Sequence, residues 1–410
     1  DIINNLRVRT FQLSPELIVD YVHQTFDHNF QDGVGCLVDA LISKDPNNES
    51  PDLNFRQWIS RIEPIGKSTE GAVFGFKGSK FPLFAVKVPK NEWNDTLPHE
   101  AVVGMGAINS LRDQIPNFMH TYGSFMCPPP IMDAGGKIVS WCSIDPKIRP
   151  PGFTDKVTYL VLENIMGAVS LESIAPSLTG DEFLQIYLQI LNALNIAHKE
   201  FDFTHYDLHS NNVLIQKLPY PVSIPIYHPN GSTLYMETNI IARIIDYGMS
   251  HVKIGDQHFG SFGLEDYEVY PEHSFPLHDA YKILLFTYSN HIFISGDTHY
   301  NKRTKPDSLK EVTELIYSFF GQTTSLQNRV IHRLINQKTD YFQLPYDKYG
   351  HISLNALIVY ILKHISTSFL YNSSPPGTIS VSCKGDCISW STFNQYIFNK
   401  YQLPTTTYEY

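Results

Sequence analysis

No stretch of this 410-residue chain is apolar for long enough to read as a transmembrane helix, and the opening DIINNLRVRT lacks the apolar core of a signal peptide. Cysteine is scarce: five residues, scattered and odd in number, which excludes a disulfide framework and points to reduced thiols in an intracellular compartment. Cys383 and Cys387 (CKGDC) could join Cys127 and Cys142 at a metal, but no histidine stands at finger spacing and scattered thiols are the simpler reading. Basic residues are outnumbered, 31 Lys and Arg against 41 Asp and Glu, for a formal net charge of −10. That balance argues against a chain that coats nucleic acid or an anionic membrane. What remains, 42% apolar and 18% charged, is the composition of a soluble globular protein long enough to bury two ordinary cores.

Two stretches carry chemistry. Residues 204–215 read THYDLHSNNVLI, with Asp207 five residues before Asn212 and an apolar run directly after it. Residues 243–248 read RIIDYG, an apolar strand ending in Asp246 with Gly248 two residues on. Phosphoryl transfer from ATP needs one carboxylate to orient the acceptor hydroxyl, and a second carboxylate with an amide oxygen to hold Mg²⁺ against the phosphates. Such oxygen ligands suit Mg²⁺, which keeps several waters and also binds substrate phosphates.

Upstream segments supply further candidates. Residues 65–73 (IGKSTEGAV) place Gly66, Ser68 and Gly71 between strand-like runs, where backbone N–H groups can approach a phosphate. Lys87 lies in the apolar strand PLFAVKV (82–88), where an ammonium needs a partner or a route to water. Glu100 follows in LPHEAVVGMGAI, where Pro98 suits a helix start. YLVLENIMGAVSL (159–171) reads as a strand, polar Glu163 and Asn164, then a turn at Gly167. Residues 181–199 carry helical periodicity with apolar positions on most faces, the mark of a buried helix. Asn230-Gly231 in HPNGS marks a hairpin within 216–242.

In this order, from about residue 58 to about residue 286, the segments resemble the eukaryotic-type protein kinase superfamily. The resemblance makes residues 65–73 the glycine-rich loop: Gly66 and Gly71 match, Ser68 replaces the middle glycine, and Val73 is the residue that packs on adenine. It makes Lys87 the lysine gripping the α- and β-phosphates, with Glu100 its helix partner. Backbone groups around Glu163 to Ile165 become the adenine-binding hinge, with Leu162 setting the depth of the site. Asp207 becomes the catalytic carboxylate, and Asn212 and Asp246 the Mg²⁺ ligands. His205 is read as a brace. His209 stands where Ser/Thr kinases carry the lysine that approaches the γ-phosphate, and Tyr206 replaces the arginine that contacts a phosphorylated activation segment. Tyr270-Pro271-Glu272 is similar to the end of an activation segment, and Asp279 stands where the family's aspartate bonds the catalytic-loop backbone.

The expected fold is therefore α+β and two-lobed: a helical extension over 1–55 and a small β-rich lobe over 56–163 with an insertion near 125–157. A mainly helical lobe over 164–370 and a C-terminal extension over 371–410 complete it. The expected activity is ATP- and Mg²⁺-dependent transfer to a protein hydroxyl, Ser/Thr-directed, with no nucleic-acid partner. The loop H-x-D-L-H-x-x-N also resembles that of aminoglycoside- and choline-kinase-like enzymes, so a small-molecule acceptor is the alternative. A pseudokinase scaffold is a third reading, opposed by the joint presence of Lys87, Asp207, Asn212 and Asp246. Composition and long insertions are similar to divergent kinases of large DNA viruses, which implies host cytoplasm or virion as the location.

Overall fold

The computed structural model describes residues 61–380 apart from 68–70, 78–81, 90–95, 113, 128–130, 133–137, 141–156, 166, 261–271, 294–307, 322–324, 337–341, 343 and 376–378. The 1–55 extension, the stretch from 381 onward, Ser68, Cys142, Cys383, Cys387 and Tyr270-Pro271 lie outside the described residues. The described residues divide into two compact units, one within 61–110 and 119–165, the other within 111–118 and 167–380.

The first unit is built on an antiparallel sheet. Strands β1 (Arg61–Lys67), β2 (Gly71–Lys77), β3 (Pro82–Pro89), β4 (Thr121–Cys127) and β7 (Val157–Leu162) run in the order β1-β2-β3-β7-β4. β3 lies at the centre and is buried on both faces. Val86 and Val88 are fully covered on one side, while Ala85 and Lys87 on the other are each only 3% exposed.

Helix α1 (Leu97–Gly106) follows, with Pro98 in its first turn, where a missing N–H costs nothing. A Cβ on Gly104 would stand 2.2 Å from Thr121 Oγ1, so glycine is what lets α1 lie close against β4. The proline-rich region contains regular strands. β4 runs to Cys127, and a short ribbon forms from β5 (Ile131–Met132) and β6 (Ile138–Ser140).

In the second unit, short β8 (Val169–Ser170) and α2 (Leu171–Ile174) precede α3 (Gly180–Phe201), a 22-residue helix opened by a Thr179–Glu182 capping box. Phe183, Leu184, Tyr187, Ile190, Leu191 and Leu194 are fully buried, each burial worth roughly 1.5–3 kcal/mol.

Two buried amides on α3 serve the hairpin of β9 (Val213–Tyr227) and β10 (Thr233–Ile244). Gln189 donates to Ile240 O at 2.8 Å and accepts from Ala242 N at 3.1 Å. Asn192 donates to Pro225 O and accepts from Tyr227 N. The hairpin turns through 228–232, with Gly231 at φ +88°. Residues 111–118 join this unit because Phe118 bridges Ile244 and Asn117 donates to Ala242 O at 2.9 Å.

After Asp246 comes a ribbon of β11 (Val252–Ile254) and β12 (Gln257–Phe259). Helices α4 (Pro276–Phe293), α5 (Ser308–Ser318), α6 (Leu326–Asn336), α7 (Tyr346–Tyr349) and α8 (Leu354–His364) follow. Strands β13 (Leu370–Tyr371) and β14 (Ile379–Ser380) extend the hairpin sheet at its two edges.

Candidate active site

The first unit presents an ammonium. Val73 on β2, Lys87 on β3 and Leu160 on β7 are direct cross-strand neighbours, so their side chains share one face of the sheet. From that row Lys87 Nζ reaches Glu100 Oε2 on α1 at 2.7 Å, with the two side chains 4% and 0% exposed. A charge that deeply buried persists only with a partner, and removing one member of such a pair costs about 3–5 kcal/mol.

Gly66 and Gly71 stand at the facing ends of β1 and β2, Gly66 opposite Val73, and the tip between them falls in 68–70, outside the described residues. At the end of β7 the N–H of Glu163 donates to His120 O at 2.9 Å, and its carboxylate accepts from His120 N at 3.2 Å. That N–H is thus committed within the unit, which narrows the expected adenine-binding backbone to the other groups of 163–165. Ile165 beside it is buried.

The second unit presents the carboxylates. α3 ends at Asp202 in the left-handed region (φ +47°), and Thr204 exchanges both backbone hydrogen bonds with His251. The chain then enters the loop. His205 is fully buried: its Nε2 bonds Ile245 O at 2.9 Å, and the N–H of Asp207 donates to its Nδ1 at 3.3 Å. Burial pushes its pKa down to about 4, and a neutral ring with Nε2–H fits both bonds. His205 is a brace between the loop and the strand before Asp246.

Tyr206 has φ +61°, a left-handed conformation costing about 1–2 kcal/mol for a residue with a Cβ. Its hydroxyl donates to His273 O at 2.7 Å and its ring is buried. The position where an arginine would serve a phosphorylated segment is here a structural anchor.

Asp207 keeps 39% of its side chain exposed. Burial of its surroundings raises its pKa, but the hydrogen bond from His209 and the charge of Lys282 outweigh that, and the carboxyl is held well below the usual carboxylate range. His209 Nε2 lies 3.5 Å from one oxygen and Lys282 Nζ 2.8 Å from the other. Asn212 Nδ2 donates to Asp207 O at 2.9 Å, which commits its amide nitrogen and leaves Oδ1 as the atom for a cation.

Asn212 and Asp246 stand at the two feet of one hairpin. Val213 pairs with Ile244, and Ile245 N donates to Asn212 O at 3.0 Å. Asp246 itself has φ +67°, a second left-handed non-glycine residue in the site. Tyr247 next to it is buried, its hydroxyl donating to Ile244 O at 3.1 Å. Its ring packs edge-on with Phe118, Phe203 and His205. One amide and one carboxylate match a cation that completes its shell with phosphate and water oxygens. No group of three His, Cys, Asp or Glu side chains among the described residues forms a self-contained metal cage.

Helix α4 braces the loop along one face. Asp279 is fully buried and accepts from His205 N at 2.6 Å and Tyr206 N at 2.8 Å, one bond to each carboxylate oxygen. One turn on, Lys282 donates to Tyr206 O at 3.0 Å and to Asp207. Phe286 packs its ring 5.6 Å from that of His209, and Asn290 donates to Ser210 Oγ. Positions 279, 282, 286 and 290 fall on one helical stripe, and they meet loop residues 205 to 210 in sequence order.

Sequence reasoning reached Asp279 but missed Lys282. Its signal was a lysine amid the apolar run AYKILLF, three residues after an aspartate already marked for the loop.

A profile of the haspin-like kinase domain matches residues 140–291, less than half of the chain. The matched stretch holds Asp207, Asn212, Asp246, Asp279 and Lys282, but not Lys87 or Glu100. The chain is 23% identical over 235 residues to the probable kinase 098L of Invertebrate iridescent virus 3, covering 56% of this chain and 39% of that protein. It is 25% identical over 236 residues to the uncharacterized protein 179R of Invertebrate iridescent virus 6, covering 55% and 18%. A probable serine/threonine-protein kinase of Dictyostelium discoideum is 31% identical over 81 residues, 18% of this chain and 7% of that protein. The match spans about two fifths or less of the length of these relatives. The chain is a divergent kinase-like protein.

Proposed function

We propose that this protein is an ATP- and Mg²⁺-dependent phosphotransferase, and specifically a Ser/Thr protein kinase. The observation that carries the proposal is Asp207: a half-exposed carboxylate clasped by Lys282 and His209 and tied to Asn212 at the foot of the strand pair that ends in Asp246. A carboxylate so strongly stabilised is a weak base. It suits the looser task of accepting a hydrogen bond from the acceptor hydroxyl and aligning its oxygen.

In the reaction the acceptor oxygen forms a bond to the γ-phosphorus. The bond from that phosphorus to the bridging oxygen breaks, and ADP leaves with the electron pair. The hydroxyl proton passes through Asp207 or directly to the transferred phosphoryl group. Asn212 Oδ1 and the Asp246 carboxylate would hold Mg²⁺, which when bound neutralises charge on the phosphate oxygens. Lys87, fixed by Glu100, would engage the α- and β-phosphates, and Gly66, Gly71 and Val73 would line the nucleotide.

A small-alcohol acceptor is the second reading, favoured by His209 in place of a loop lysine. The buried Tyr206 argues against control by a phosphorylated activation segment in either case.

The test is transfer from labelled ATP with Mg²⁺, wild type beside Asp207→Asn, first to a protein panel and then to aminoglycosides, choline and other small alcohols. Label on protein that vanishes in the variant supports the kinase. Label only on small molecules moves the enzyme to the second reading. No transfer and no MgATP binding refutes both.

A further inference from the structure

We propose that Lys282, supplied by helix α4, is the positioning cation of the catalytic carboxylate, standing in for the loop lysine that His209 replaces. This rests on the phosphotransferase reading above and names a residue that the loop motif does not contain. Its ammonium bonds Asp207 Oδ1 at 2.8 Å and the carbonyl of Tyr206 at 3.0 Å. Two of its three N–H groups therefore fix the loop on either side of the Tyr206–Asp207 peptide. The third is left for an oxygen of the transferring phosphoryl group or the acceptor.

The bland alternative is a surface lysine that found the nearest acid, a contact worth little. Three observations weigh against it. The Lys282 side chain is only 18% exposed, so the ammonium sits where an unpaired charge is costly. The acid on its own helix, Asp279, is committed to the N–H groups of His205 and Tyr206. No ion pair among the described residues joins Asp279 to Lys282.

The peptides flanking the strained Tyr206 are both held from α4, the one before it through its N–H by Asp279 and the one after it through its C=O by Lys282. A left-handed tyrosine persists because that helix over-determines it. The reward is a carboxylate whose direction is fixed before substrate arrives, which is where electrostatic preorganisation gains most.

Three forms test this. Lys282→Met removes the charge and both bonds. Lys282→Gln removes the charge and keeps a donor for the Tyr206 carbonyl. Lys282→Cys alkylated with bromoethylamine restores an ammonium on a chain of near-lysine length, with alkylated wild type as control. Steady-state transfer is measured alongside the melting temperature of each.

The expected result is a loss of about 10²-fold in kcat for both Met and Gln, with KM for ATP within about threefold and recovery of at least a tenth of wild-type kcat on alkylation. An active wild type with kcat of Lys282→Gln within about threefold overturns the assignment, as does a loss confined to KM. So does a folded, alkylated Cys variant that recovers nothing. If Lys282→Met fails to fold, the Gln and alkylated forms decide. A wild type that transfers no label overturns the phosphotransferase reading itself and this assignment with it.

Discussion

Asp279→Ala removes the acceptor of two buried backbone N–H groups at once. In the wild type these reach one carboxylate oxygen each, at 2.6 and 2.8 Å. An N–H left without its buried acceptor costs about 1–3 kcal/mol, and the two together about 2–6 kcal/mol. Part of that is returned because the carboxylate no longer has to be buried. Burial pushes its pKa up to about 7 despite both N–H bonds and the charge of Lys282. The net expectation is a loss of about 3 kcal/mol.

Asp279→Asn is the informative partner. Its one carbonyl oxygen can serve one N–H, while its NH₂ faces the other donor, so it recovers half of the loss at most. Urea denaturation gives the size of the effect. Hydrogen exchange at the amides of His205 and Tyr206 gives its place, since those amides should lose protection before the rest of the second unit. A loss below about 1 kcal/mol for Asp279→Ala, with both amides as protected as in wild type, would refute the reasoning.

Stability should fall on acidification. Burial lowers the pKa of His205 to about 4 and of His278 to about 3, so between there and about 6.5 the unfolded chain binds two protons that the folded one does not. Asp279 acts in the opposite sense, binding one proton in the folded state between its unfolded value and about 7. Two against one leaves about one proton, and His198, also lowered by burial, adds in the same sense, so the loss is about 1.4 kcal/mol per pH unit or more near pH 5. A melting temperature that is flat or rising from pH 6.5 to 5 would contradict this.

Lys87→Met should destabilise the first unit by about 3–5 kcal/mol by leaving Glu100 buried without its cation, and Lys87→Met with Glu100→Leu should recover most of that. Equal losses in the single and double variants would show that the pair is not coupled.

The juxtaposition of Asn212 and Asp246 was legible because a hairpin read within 216–242 returns the chain to where it left. The approach of Lys87 to Glu100 was legible through the resemblance that pairs them, since the apolar strand alone asked only for a partner or a route to water. Less legible was the membership of residues 111–118, which join the second unit through Phe118 and Asn117. Nothing local in PNF announces a pairing with residues 242–244. Lys282 escaped for the same reason. Its partners lie 75 and 76 positions away, and a lone lysine on a helix ordinarily reads as a solvated side chain. The commitment of Glu163 N–H to His120 is a contact between two loop residues that no pattern encodes.

The hairpin from Val213 to Ile244 carries a lesson for how such chains grow. Its two feet hold Asn212 and Asp246 at a spacing dictated by the width of one strand pair, whatever the length of the arms. Residues added at the exposed tip, 228–232, lengthen a closed ladder without touching its base. The entropic cost of a longer tip rises only with the logarithm of its length. The site is thus insulated from the most permissive position in its own connection, and a spectroscopic reporter grafted at Asn230 would ride on the molecule without altering what the feet can bind.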